Sequence, residues 1–72
     1  MSRPDAIRAE GLIVEALKER AFRVELANGH RFVARPCSRL RLMFVRLAPG
    51  DRVTVELSPY DLSKGSIVLK NN

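Results

Sequence analysis

Phe22-Arg23-Val24-Glu25-Leu26-Ala27-Asn28-Gly29-His30-Arg31-Phe32-Val33-Ala34-Arg35-Pro36 decides the fold of this chain. Apolar and charged side chains alternate from Phe22 to Leu26, which puts Phe22, Val24 and Leu26 on one face of a strand. Asn28-Gly29 follows, a strong hairpin signal, because both central residues of a type I′ turn need positive φ. The return strand, residues 30–35, turns Phe32 and Ala34 toward a core and Arg31, Val33 and Arg35 away from it. Pro36 has no backbone donor and is expected to end the pairing.

The same alternation recurs at Arg52-Val53-Thr54-Val55-Glu56-Leu57, with Val53, Val55 and Leu57 inward, just after the tight-turn signal Pro49-Gly50. Residues 58–65 have loop composition, and Ile67-Val68-Leu69 reads as a short closing strand. In residues 38–47 the spacing of Leu40, Met43, Phe44 and Leu47 supports a short helix capped by Ser38. Residues 7–18 fit two patterns. Ala6, Ala9, Ile13, Ala16 and Leu17 lie at helical spacing, whereas Leu12-Ile13-Val14 favours a strand, with Gly11 marking a bend or bulge. The element order chooses strand for residues 7–18, giving five short strands with a helix between the third and fourth. That is the order of an all-β, five-stranded Greek-key barrel, the OB-fold. Closing a barrel removes the exposed edges that make a small sheet aggregate.

Seventy-two residues make one domain over positions 1–72, with residues 1–5 and 71–72 expected as flexible ends. A chain this short buries only about 60% of its unfolded surface, which leaves little room for an enclosed active site or cofactor. A hydrophobic content of 46% is enough for a folded body and argues against a disordered basic tail. Cys37 is the one cysteine, so no internal disulfide forms and a reducing cytoplasm is the simpler location. Arg35 and Arg39 nearby favour its thiolate, but a small loop residue is the plainer role. No apolar run nears the roughly 18 residues that span a bilayer, and the N-terminus lacks a signal-peptide pattern, so no membrane partner is expected.

The charge is unevenly placed. Arg31, Arg35, Arg39, Arg41 and Arg46 share a window free of Asp and Glu. The rest of the chain carries equal numbers of acidic and basic side chains, so the whole net charge of +5 lies in that window. Such a concentration marks a polyanion binder, and guanidinium forks suit phosphates and base edges better than ammonium groups do.

The chain resembles bacterial translation initiation factor 1 over nearly its full length. The likeness is carried by Phe22-Arg23-Val24-Glu25-Leu26, by Asn28-Gly29-His30 and by Gly50-Asp51-Arg52-Val53-Thr54-Val55-Glu56-Leu57, and it continues through Ser58-Pro59-Tyr60-Asp61-Leu62-Ser63-Lys64-Gly65. The resemblance implies a one-domain OB-fold that binds the small ribosomal subunit at the aminoacyl-tRNA site and works with initiation factors 2 and 3. In the family, the segment between strands three and four carries basic residues into a groove of the RNA helix at the decoding centre. By position these are Arg39, Arg41 and Arg46, with Phe44 beside them, and Lys64 matches a further basic position. This chain departs from the family at Cys37-Ser38-Arg39-Leu40-Arg41 (usually Ser-Gly-Lys-Met-Arg), at Leu42-Met43 (usually more polar), at Ser66 (commonly Arg) and in its non-basic tail.

Arg39 and Arg46, seven residues apart on one helix, would share a face and straddle an RNA groove. Phe44 either stacks on a base or plugs the barrel beside Leu40 and Leu47. Arg31 and Arg35 point outward from strand three, where OB-folds bind oligonucleotides, and Arg23 shares that face, with Glu25 near enough to neutralise it. His30 follows the turn and is a candidate phosphate contact. Tyr60 either packs or touches RNA.

A cold-shock-like single-stranded RNA binder or RNA chaperone is the alternative, but such proteins carry aromatics on the outer face of strands two and three. Here Arg23, Glu25, Arg31, Val33 and Arg35 occupy it. No nucleophile–base pair, glycine-rich phosphate loop or metal-ligand spacing points to an enzyme, a metal or another cofactor. A monomer without a small-molecule substrate is the expectation.

Overall fold

The computed structural model describes residues 6–71; the expectation for residues 1–5 and for Asn72 lies outside them. Five strands follow one another as β1 (Ile7–Ala16), β2 (Phe22–Leu26), β3 (Arg31–Pro36), β4 (Arg52–Ser58) and β5 (Asp61–Lys70), with one helix, α1 (Ser38–Leu42), between β3 and β4. They close into a barrel in the order β1-β2-β3-β5-β4, with β4 pairing back onto β1. The closing pair, β3 with β5, is parallel, and every other pair is antiparallel. This is the barrel that the alternation and element order imply, with strand for residues 7–16.

The period-two positions build the core. Ile13, Val24, Phe32, Ala34, Val53, Val55, Leu57 and Ile67 are buried inside the barrel, and Leu40 of α1 joins them. Phe22 and Leu26 pack against this cluster but stay half-buried.

Several local expectations change. The irregularity in β1 falls between Ile13 and Glu15, not at Gly11. Gly11 serves close packing instead: a Cβ there would lie 2.5 Å from the Val24 Cγ1. The β2–β3 loop is not a two-residue type I′ turn. The Gly29 N–H donates to the Leu26 carbonyl, and the Leu26 N–H donates to the His30 carbonyl, so the loop is Ala27-Asn28-Gly29. Only Gly29 takes positive φ, at 86°, the pattern of a turn followed by a glycine bulge. Pro36 does not end pairing altogether. It ends the β2 ladder, but it lies opposite Ile67 of β5, and parallel pairing there does not require its missing N–H.

The Pro49-Gly50 turn forms as expected, closed by the Asp51 N–H on the Ala48 carbonyl with Gly50 at φ 95°. The expected loop at 58–65 is mostly strand: Ser58 pairs with Asp61 across the two-residue turn Pro59-Tyr60, and β5 runs ten residues from there. Asn71, read as part of a free tail, is tied to β4 by its N–H on the Arg52 carbonyl and by the Thr54 hydroxyl on its Oδ1.

Gly65 sits where β5 crosses from β4 to β3, opposite both Leu57 and Ala34. A Cβ there would come within 2.8 Å of Phe32, 2.9 Å of Leu57 and 3.0 Å of the Glu56 carbonyl oxygen. Overpacking of this kind costs about 1–3 kcal/mol. Gly65→Ala should therefore lower the thermal midpoint by roughly 4–20 °C for a domain of this size, read by circular dichroism; an unchanged midpoint would contradict the close approach.

Candidate nucleic-acid interface

The segment that carries the basic residues is short and tightly built. α1 spans only Ser38–Leu42, so Arg46 is not on it. Ser38 is not the cap; Cys37 holds that position without a side-chain bond, and the Ser38 hydroxyl instead accepts from Arg41 at 3.3 Å. Leu40 is the buried anchor that fixes the helix over the barrel.

The helix stops in a Schellman arrangement. The Phe44 N–H donates to the Arg41 carbonyl and the Val45 N–H to the Leu40 carbonyl, while Val45 packs back on the core that holds Leu40. Glycine normally occupies the left-handed residue of this motif, but here it is Phe44, at φ 53°. A side chain in that conformation costs about 1–2 kcal/mol, and nothing in the packing repays it, because Phe44 is 89% exposed. Phe44 is thus not a barrel plug. Leu42 and Met43 beside it are also exposed, so the expected apolar helix face ends at Leu40.

The five arginines divide into two groups. Arg31 and Arg35 each meet a carboxylate: Arg31 Nε lies 3.3 Å from Glu25, and Arg35 lies 3.4 Å from Glu19. The acid-free window is therefore partly neutralised from outside it. Both pairs are solvent-exposed, where such contacts are worth little, so they weaken these cations without removing them. Arg23 Nε lies 3.3 Å from Glu15, out of hydrogen-bond alignment, so Glu15 and not Glu25 faces it.

Arg39, Arg41 and Arg46 are exposed and have no ion-pair partner among the described residues. They do not share one face. Arg39 lines a groove with Arg8, Cys37 and Glu56, whereas Arg41 and Arg46 line another with Phe44, Phe22 and Pro36. Arg39 and Arg46 thus line separate grooves, so the expected pair of forks on one helix face is not formed. Arg20 lines the second groove too, and sequence reasoning missed it.

The remaining candidates lie elsewhere. His30 Nε2 donates to the Leu62 carbonyl at 2.8 Å, and its ring stacks on Phe32, so it ties the hairpin to β5. Lys64 is exposed on β5 beside Val33 of β3. Tyr60 is 83% exposed in the β4–β5 turn, unpacked. Next to it, hydrogen bonds from the Ser63 hydroxyl and backbone N–H, with the Lys64 charge, hold the Asp61 carboxyl below its ordinary pKa. No cluster of three or more metal-ligating side chains occurs among the described residues.

Because Phe44 is exposed and strained, Phe44→Gly should leave the thermal midpoint unchanged or raise it by a few degrees. A core phenylalanine lost in this way would cost about 3–5 kcal/mol. A large drop on melting would contradict the exposed placement.

The likenesses to known proteins agree with this architecture. The solved structure of YjeQ from Thermotoga maritima superposes with a TM-score of 0.73 at 24% identity, covering 92% of this chain and 23% of that one, a likeness of fold. The solution structure of translation initiation factor 1 from the Wolbachia endosymbiont strain TRS of Brugia malayi superposes with a TM-score of 0.79 at 32% identity, covering 96% of this chain and 82% of that one. The family model described as translation initiation factor 1A / IF-1 matches residues 1–72, and the chain belongs to that family, with a role in translation initiation.

Proposed function

We propose that this protein binds the small ribosomal subunit at the aminoacyl-tRNA, or decoding, site through contacts with ribosomal RNA, acting there with initiation factors 2 and 3. The observation that carries the reading is the set of unpaired, exposed guanidinium groups at Arg39, Arg41 and Arg46, held beside an exposed aromatic at the end of a rigid barrel. Folded RNA offers phosphates, 2′-hydroxyls and a shallow minor groove, which such forks read by shape and charge. Leu40 and the Schellman turn fix the segment's backbone before binding, so less ordering entropy is lost on contact.

The mechanism is occupancy. A protein seated in that site excludes tRNA from it and shifts the subunit toward the conformers that accept the protein. No covalent step is involved, and the protein acts as a cytoplasmic monomer. Arg31, Arg35, Arg23 and Lys64 extend the positive field around this site as secondary contacts, the first three moderated by their glutamates.

The outer face of β2 and β3 favours this reading over a cold-shock-like RNA chaperone. Phe32 is buried, His30 is stacked on it, and the outward positions hold Arg–Glu pairs with no exposed aromatic platform. Generic single-strand binding relies on such platforms.

Replacing Arg39, Arg41 and Arg46 together by Ala should leave the far-UV spectrum unchanged, since none of them packs in the core. Cosedimentation with purified small subunits should weaken by about 1,000-fold, as three charged contacts are each worth about 1.5 kcal/mol. The slope of log affinity against log salt should shrink by about 2–3. Undiminished cosedimentation would mean that another surface binds.

A further inference from the structure

We propose that Arg20 belongs to the RNA-binding surface, and that the groove between the β1–β2 turn and the segment after α1 grips one RNA backbone phosphate from two sides. The proposal rests on the RNA-binding reading above and adds a residue from a distant part of the chain.

The groove is open, of ≈380 Å³. Arg20, from the β1–β2 turn, lines it together with Arg41 and Arg46, and Phe22, Pro36 and the exposed Phe44 are among its apolar lining. The turn that delivers Arg20 is strained. Leu17 and Ala21 close it through the Leu17 N–H on the Ala21 carbonyl, and the three residues between include Glu19 at φ 62° and Arg20 at φ 61°. Two successive side chains in the left-handed region, with neither Gly nor Asn, are uncommon and persist only where the surroundings enforce them.

Glu19, adjacent in sequence, does not neutralise Arg20; its carboxylate lies 3.4 Å from Arg35. Among the described residues Arg20 has no ion-pair partner. Three arginines therefore line one groove without a carboxylate paired to any of them, and like charges gathered in this way are relieved by a bound anion. The apolar lining selects among anions. A phosphodiester brings a ribose that lies against Phe22 and Pro36 while its oxygens accept from the forks. An isolated inorganic phosphate leaves that lining uncovered.

The test is binding to purified small subunits over a salt series, comparing wild type, Arg20→Ala, Arg20→Lys and Arg41→Ala. Ala has the same Cβ as Arg, so the strain of the turn is unchanged and the melting curve should match wild type. Arg20→Ala should bind about 5- to 10-fold more weakly, with a log–log salt slope smaller by about 1. Arg20→Lys should keep the slope and lose part of the affinity, because a point charge cannot reproduce the fork. A benzophenone side chain placed at position 20 should crosslink to ribosomal RNA.

Wild-type affinity and slope in Arg20→Ala, with Arg41→Ala weakened, would overturn the role of Arg20 and leave the RNA-binding reading standing. Weakening at an unchanged slope would mean that Arg20 acts structurally and not as a phosphate contact. Crosslinks confined to ribosomal protein would assign the groove to a protein surface. A wild-type protein that does not bind subunits at any salt would overturn both readings.

Discussion

The parallel pairing of β3 with β5 is the constraint on which the rest of the structure depends. Val33, Ala34, Arg35 and Pro36 lie opposite Lys64, Gly65, Ser66 and Ile67, and this one ladder turns a four-pair sheet into a barrel. β5 reaches β3 because Gly65 has no side chain to meet Phe32 and Leu57. Since β3 ends at Pro36 and β4 starts at Arg52, the intervening chain must cross the barrel end, and Leu40 pins it there. The exposed arginines, Arg39, Arg41 and Arg46, all lie on that crossing. Barrel closure thereby determines where the positive charge is displayed.

The electrostatics follow from the same geometry. Barrel strands bring their outward charges into register, and most of those charges find partners. Arg8 meets Glu56, Arg23 faces Glu15, Arg31 meets Glu25 and Lys70 meets Asp51. The crossing segment lies outside the strand ladders, and among the described residues none of its arginines meets a carboxylate at ion-pair distance, although Glu56 lines the same groove as Arg39. Its arginines stay unpaired because of where they are as much as because the segment contains no acid. The body is close to neutral, and the protrusion is not.

Much of this was legible in the sequence, for identifiable reasons. β2, β3 and β4 alternate because one face of each is buried, and a one-residue slip would expose the whole core. The five-strand order, and with it the choice of strand for residues 7–18, comes from counting elements, and the strand runs over Ile7–Ala16. β5 was harder to see. Its first half is exposed and rich in Asp, Ser, Lys and Gly, and it is held by backbone pairing that side-chain composition does not reveal. The left-handed residues Glu19, Arg20 and Phe44 were invisible because none is Gly or Asn. The helix end was missed for the same reason, and with it the separation of Arg39 from Arg46. The pairing of Arg31 and Arg35 with Glu25 and Glu19 joins residues outside the window to residues inside it. Arg20 comes to line the same groove as Arg41 and Arg46 only through tertiary folding.

The central claim is that a near-neutral barrel presents an unpaired arginine segment to the decoding-site RNA of the small subunit. Chemical footprinting of small-subunit RNA, with and without saturating protein, tests it most directly. The account predicts a compact set of protected and enhanced nucleotides at the aminoacyl-tRNA site, absent when Arg39, Arg41 and Arg46 are all Ala. Protection spread thinly over the subunit RNA, or concentrated away from that site, would contradict it.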